Sequence, residues 1–575
     1  MFDCAPLLAC IRLLRQRHED VAAERAEPEL GRNLTTLRLA EAYLERAEAG
    51  ARHPGLPLQL AVIGPTQAGK STLVNLLLDR DAARVSPLAG YTVHPQGFAV
   101  AAGTAGRDWL HGYFHGYHRL ALVELPRDDY RCYALEAVDA PDFEFPGTVV
   151  WDTPDFDSVT ARDYADGVLR TVALADVVVL VTSKDKYADQ AVWDTMKLIE
   201  PLNQPALLCL NKIDPETEPV LVRSLGEKWR ENRGGALPPI VCLPYQRDRE
   251  AGRAAGRDAL ISALRPLWPV PGRYDRQRVA RDLARRHWDE WLAPVRLEHQ
   301  AEASWNATVD AVLRDSVAVY RRDYLDHPQH YHTFHRALAE LLVLLEVPGV
   351  GSAMALARRA VTWPFRQLGR LTRGGRRSEL DGQEAAILAG IAGHALIRAN
   401  ETALLRCDEQ AGLRFWWVEL AAELRALRLA GLAGYAPACE RYQREFTPQI
   451  EATARQLLER LREHPATLNG LRATRLTTDA AAVALALHSG GIGLQDFIIA
   501  PAMLALTSLM AEGVIGRYLR KAEQDLKQRQ SETVEALLTA ALAEPLRQLP
   551  RRMGGKARFG IAAAQLESAA VLLQP

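Results

Sequence analysis

The stretch LQLAVIGPTQAGKSTLVNLLL, residues 58–78, decides how this chain is read. A short apolar run leads straight into Gly64-x-x-x-x-Gly69-Lys70-Ser71, and a helix-forming run follows. The glycines let the backbone curl until N–H groups from about Gln67 to Thr72 converge on phosphate oxygens, at the positive end of the next helix. Lys70 is then placed to reach β- and γ-phosphates and Ser71 to ligate Mg²⁺, with Thr66, Gln67, Ala68, Gly69 and Thr72 completing the cradle. Strand, glycine loop and helix in that order predict a phosphate-binding P-loop.

Two later segments extend the pattern. Asp152-Thr153-Pro154-Asp155 follows an apolar strand predicted at Thr148–Trp151, and Asn211-Lys212-Ile213-Asp214 follows another at Ala206–Leu210. The second segment selects the base. A carboxylate at Asp214 accepts from guanine N1–H and from the 2-amino group, whereas adenine has no donors there and would leave the carboxylate unpaired. Asn211 is expected to bond the base and tie its loop to the P-loop, with the stem of Lys212 along the ring face.

With these motifs, residues 58–268 resemble the translation-factor-related GTPases, and within them the bacterial dynamin-like proteins and the Era- and MnmE-like assembly GTPases. The resemblance implies GTP and Mg²⁺ as cofactors. Gly64–Ser71 matches the first motif, Asp152 the carboxylate of the third that holds Mg²⁺ through water, and Asn211, Lys212 and Asp214 the fourth. The second motif, a lone threonine, falls on Thr92 in Gly90-Tyr91-Thr92-Val93, 22 residues after Lys70. The implied metal set is Ser71, Thr92 and Asp152, and the implied catalytic set is Lys70, Ser71 and Thr92. For the fifth motif the candidate is Cys242-Leu243-Pro244, closing a strand at Pro239–Leu243, which departs from the usual Ser-Ala-Lys. Asp155 stands where the third motif has glycine, bringing a Cβ and a charge beside the phosphates. Phe156 stands where many small GTPases place a water-orienting glutamine. Gln67 occupies the position where potassium-dependent members carry asparagine, which makes K⁺ a candidate cofactor.

Composition narrows the class. With 575 residues, 25% charged, 48% apolar and a formal charge of −1, the chain is long enough for two or three globular domains and lacks the basic excess of a dedicated RNA binder. Its seven cysteines form no metal-like pairs and read as free thiols of a reducing cytosol. The start, Met1 to Leu8, has no basic region ahead of its apolar residues, so no signal peptide is expected.

The order of segments completes the expectation of an α/β P-loop GTPase domain with a large all-α helical bundle. Residues 1–55 read as helix broken at Pro28 and packing on the bundle, 56–270 as the GTPase domain, and 271–575 as the helical domain. This order is that of dynamin-like proteins. Within the helical half, Arg358–Arg377 carries seven arginines and no acidic residue, with Arg366, Arg370 and Arg373 on one stripe beside Trp363, Phe365 and Leu368. Segment 341–377 therefore suits an anionic membrane surface, or else an arginine face paired within the bundle. Segment 480–511, with Asp496 as its sole charge, fits a hairpin dipping into one leaflet or a dry core pair. His111, His115 and His118, and His327, His330, His332 and His335, tempt a metal assignment. No convergent carboxylate or cysteine accompanies either group, and Gly112 and Gly116 argue against a helix through the first.

The function expected is a cytosolic, Mg²⁺-dependent GTPase of dynamin-like kind, peripheral on the inner face of a membrane and forming homo-oligomers. The alternatives are a switch or assembly factor docking a protein or ribonucleoprotein, and a nucleotide-binding scaffold with weak hydrolysis.

Overall fold

The structure is a computed structural model. It describes residues 5–24, 27–53, 55–86, 90–101, 105–156, 161–232, 236–244, 249–268, 275–327, 379–432, 434–462, 514–554 and 558–573. The segments 341–377 and 480–511, like His330, His332 and His335, lie outside the described residues.

In the central strands, uninterrupted apolar runs are buried on both faces, which is what a parallel sheet requires. β1 (Leu58–Ile63), β2 (Gln96–Val100), β3 (His118–Leu120), β4 (Cys132–Val138), β5 (Thr148–Asp152), β6 (Val177–Ser183), β7 (Ala206–Ile213) and β8 (Ile240–Pro244) form an eight-stranded sheet in the order β3-β4-β2-β5-β1-β6-β7-β8. Every pairing is parallel except β2 with β5. On one face Leu60, Val62, Val150 and Val179 pack with Leu73 and Leu77 of α3 (Lys70–Leu78) and Leu260 of α8 (Arg249–Leu264). On the other, Ile63, Trp151, Val178 and Leu180 pack with Val172 of α5 (Ala161–Leu174) and Trp193 of α6 (Gln190–Ile199). The first and third motifs leave the carboxyl ends of the adjacent β1 and β5, and the fourth closes β7, two strands from β1, so all three lie at the carboxyl end of the sheet, the usual place for a ligand.

Contacts divide the chain into two units, Met1–Leu297 with Arg558–Pro575, and Glu298–Ala557. The boundary expected at 270/271 is therefore displaced. The opening of α9 (Arg276–Tyr320) belongs to the first unit, where Trp291 Nε1 donates to Thr36 Oγ1 at 2.8 Å and Asn33 Nδ2 to Glu290 O at 3.1 Å. The N-terminal segment, α1 (Ala5–Ala22) and α2 (Pro28–Arg52), also packs inside this unit, with α5 and with the C-terminal residues, His18 meeting the Phe559 ring at 4.9 Å.

Charge explains the placement of α2. Glu45 is buried, accepts from Arg170 at 2.9 Å and Arg12 at 2.6 Å, and meets His115 Nε2 at 2.7 Å. Burial pushes its carboxyl up, but His115, Arg170 and Arg12 prevail and hold it at about 2. A carboxyl held below its unfolded value stabilises the fold above about pH 4.5, and the contribution is lost as pH falls towards 2. Glu45→Gln is expected to cost about 3–5 kcal/mol at neutral pH, by leaving buried Arg170 to the more distant carboxylate of Asp166 at 3.6 Å, and to flatten that acid limb. Thermal melting from pH 2 to 7 checks both. Contrary to the sequence expectation, carboxylates do converge on one of the histidines: Glu41 and Glu45 meet His115, with Arg12 and Arg15 paired to Glu41 and Arg12 and Arg170 to Glu45. α4 (Ala105–Tyr113) runs through Gly112, contrary to expectation, because buried Leu110, Tyr113 and Phe114 outweigh a glycine penalty of about 1 kcal/mol.

The second unit is helical. α10 (Glu379–Glu409), α11 (Arg414–Ala430), α12 (Tyr435–Arg462) and α13 (Val514–Leu538) enclose Trp416, Trp417, Leu420 and Val534 together with Trp305 of α9. Trp305 Nε1 donates to Leu546 O at 2.9 Å. At its centre Glu384 accepts from Tyr320 at 2.6 Å and from Tyr442 at 2.9 Å, and burial raises its carboxyl. Among the described residues, no helix is long and apolar enough to cross a membrane.

Candidate nucleotide site

The loop leaving β1 is held against its neighbours so closely that glycine is required twice. A Cβ at Gly64 would lie 2.2 Å from Val181 O. One at Gly69 would lie 2.3 Å from Asn211 Nδ2, on a backbone at φ +99°. Gly69 directly precedes α3, whose first turn carries Lys70, half-buried Ser71 and exposed Thr72. Between the glycines, Thr66 is half-buried, Gln67 is exposed at φ +62° and Ala68 is buried.

β7 does not stop at Leu210 as expected but continues through Asn211 to Ile213, with a bulge between them and Lys212 at φ +59°. The bulge turns two side chains onto the loop. Asn211 Nδ2 donates to Ala68 O at 2.9 Å while Asn211 Oδ1 accepts from Lys212 N–H at 2.9 Å. Lys212 Nζ donates to Gln67 O at 2.8 Å. The expected tie between the two loops is thus present. Asp214 follows the strand, its side chain 56% exposed. Its partner at 3.1 Å is Lys184, a residue the motifs did not flag. The signal was available, since Lys184 directly follows β6 and Ser183 registers with Asn211. Leu243 registers with Asn211 and Pro244 with Ile213, so the candidate fifth motif borders the fourth.

On the phosphate side, Ser71 Oγ donates to Asp152 Oδ2 at 2.6 Å. Asp152 is fully buried, and burial pushes its carboxyl up to about 6 against the Ser71 hydroxyl and the Lys70 charge. Its Oδ1 is buried with no hydrogen-bond partner among the described residues. A hydroxyl beside a carboxylate with an unused oxygen is the hard donor set that Mg²⁺ prefers, so these residues fit the ion. Thr92 is buried just ahead of β2, whose Gln96 registers with Asp152. Thr153 Oγ1 donates to Val62 O at 2.9 Å, pinning the third motif to β1, and Phe156 packs on the apolar core.

Lys70 Nζ donates to Gly64 O at 3.0 Å, to Pro65 O at 3.1 Å and to Asp155 Oδ1. Asp155 Oδ2 accepts from Gly90 N–H at 3.2 Å. Both members of this ion pair are buried, at 5% and 8% side-chain exposure.

Residues 59–212 match the family model of the 50S ribosome-binding GTPases, a span that starts in β1 and ends inside the fourth motif. No curated protein matches the chain. Among solved structures, a chain of an oligomerised bacterial dynamin pair, described as a mechanism for long-range sensing and tethering of membranes, is 13% identical with a TM-score of 0.37, covering 100% of this chain and 95% of its own. LeoA, a bacterial dynamin GTPase from ETEC, is 12% identical with a TM-score of 0.23 and full coverage of both chains. A bacterial selenocysteine-specific elongation factor, EF-Sec, is 12% identical with a TM-score of 0.22 over 37% of this chain, which spans 28% of that factor's length. Overlays this loose establish no shared activity.

Proposed function

We propose that this chain, a P-loop GTPase through residues 59–212 and ordered along its sequence like the bacterial dynamin-like GTPases it resembles, binds GTP with Mg²⁺ and hydrolyses it. The observation that carries the reading is the clasp of Asn211 and Lys212 on the P-loop, which sets the base-reading segment against the phosphate loop with Ser71 and Asp152 already joined. Bound Mg²⁺ would neutralise phosphate charge and order the terminal phosphate. The chain's own residues do the rest. Lys70 offers an ammonium to the phosphates, the loop N–H groups cradle them, Ser71 and Asp152 hold the ion with Thr92 as the expected third donor, and Asp214 reads the base. Phe156 cannot orient water, so hydrolysis relies on another group, for which K⁺ beside Gln67 or a second copy of the chain are the candidates.

Coupling to an anionic membrane is supported by the arginine stripe of segment 341–377 and the apolar segment 480–511. A peripheral, homo-oligomeric protein of the cytoplasmic side is what the resemblance to dynamin-like GTPases and the free cysteines suggest; docking of a protein partner is the second reading. Sedimentation of the purified chain with anionic liposomes separates them. Binding is expected to fall steeply with salt as the Debye length shortens from about 10 Å at 0.1 M, and Arg366, Arg370 and Arg373 changed together to Glu should abolish it with GTP affinity unchanged. A parent chain that ignores liposomes at every salt concentration would move the reading to a protein partner.

A further inference from the structure

A lysine ammonium has three N–H donors, and all three of Lys70's are taken, by Gly64 O, Pro65 O and Asp155 Oδ1. Two of these acceptors are carbonyls fixed in the loop itself. The third is a side chain, so an incoming phosphate oxygen gains Lys70 by displacing Asp155. The other Asp155 oxygen holds Gly90 N–H, two residues before Thr92. One carboxylate thus ties together the P-loop lysine and the segment bearing the expected switch threonine, with an anionic oxygen on each.

We propose that Asp155 determines the preference between guanosine tri- and diphosphate: its carboxylate occupies a Lys70 donor that the β-phosphate of either nucleotide would share, and it repels the extra charge of a terminal phosphate, so that triphosphate binds only as Asp155 gives way. The inference rests on the guanine-nucleotide reading above. Burial makes the competition strong, because water screens little of the repulsion between Asp155 and an added phosphate. Giving up Lys70 and Gly90 in one movement would link arrival of the terminal phosphate to release of the segment that carries Thr92.

The test is titration of the full-length parent, Asp155→Asn and Asp155→Gly with fluorescent GTP and GDP in Mg²⁺, with thermal melting as a check that each variant folds. Removing a charge-assisted contact that competes with the ligand should change affinity by about tenfold or more. The GTP-to-GDP ratio of affinities is therefore expected to rise by about that factor in both variants, whereas a merely structural role would move both nucleotides together. An unchanged ratio in folded variants, or an equal gain for GTP and GDP, overturns the proposal while leaving the GTPase reading intact. A parent that binds neither nucleotide overturns both.

Discussion

Lys70→Ala is expected to lower single-turnover GTP hydrolysis by about a hundredfold to a thousandfold, the usual loss when one preorganised charge at a transferring phosphoryl group is removed. The substitution has a second consequence. Lys70 and Asp155 are paired in the interior, so alanine strands a buried carboxylate, a change that typically costs about 3–5 kcal/mol. A fall in turnover could then be mistaken for unfolding. The double variant Lys70→Ala/Asp155→Gly separates the two effects, because it removes both charges: thermal stability should recover while hydrolysis stays lost. Ser71→Ala provides the parallel control. It takes away the hydroxyl that bonds Asp152, and with it a proposed Mg²⁺ ligand, without touching the Lys70 pair. Hydrolysis at parental levels in a folded Lys70→Ala protein would show that these phosphates are not handled by the P-loop at all.

What the sequence made legible was set by the range over which each feature is encoded. The central strands were readable because a parallel sheet covered on both faces needs continuous apolar runs, and β5 and β6 are Val-rich and buried throughout. The loop glycines were readable because a close backbone approach tolerates no side chain, as the 2.2 Å between a Cβ at Gly64 and Val181 O shows, and the fourth motif because its residues are contiguous in sequence. The attachment of the N-terminal helices was not readable. It depends on Glu45 finding Arg170, 125 residues away, and on Asp176 gathering Arg46 and Arg276, partners that local periodicity cannot pair. The partner of Asp155 was hidden for the same reason: its departure from the motif was visible, but the fold brings it to Lys70 from 85 residues away. Lys184 was missed because it matches no motif, although strand adjacency alone would place it beside Asp214.

Asp214→Asn is expected to weaken GTP by about 2–4 kcal/mol, the worth of charge-assisted hydrogen bonds lost to one base edge, and to favour xanthosine triphosphate in its place. The direction follows from donor counting. Guanine presents N1–H and a 2-amino group, both donors, and a carboxylate accepts both; an amide sets its own N–H against one of them. Xanthine replaces the amino group with a carbonyl, which that N–H satisfies. The fold should barely register the change, since Asp214 and Lys184 are both about half exposed and pairs of that kind contribute about 1 kcal/mol or less. Stability therefore serves as the internal control that Lys70 does not offer. Asn211 and Lys212 remain on the P-loop through Ala68 and Gln67, so the phosphate side keeps its geometry while the base side alone is altered. Competition among GTP, ATP and XTP for the parent and the variant measures the exchange. Equal affinity of the parent for ATP and GTP would remove Asp214 from the role of base reader, and with it the guanine assignment.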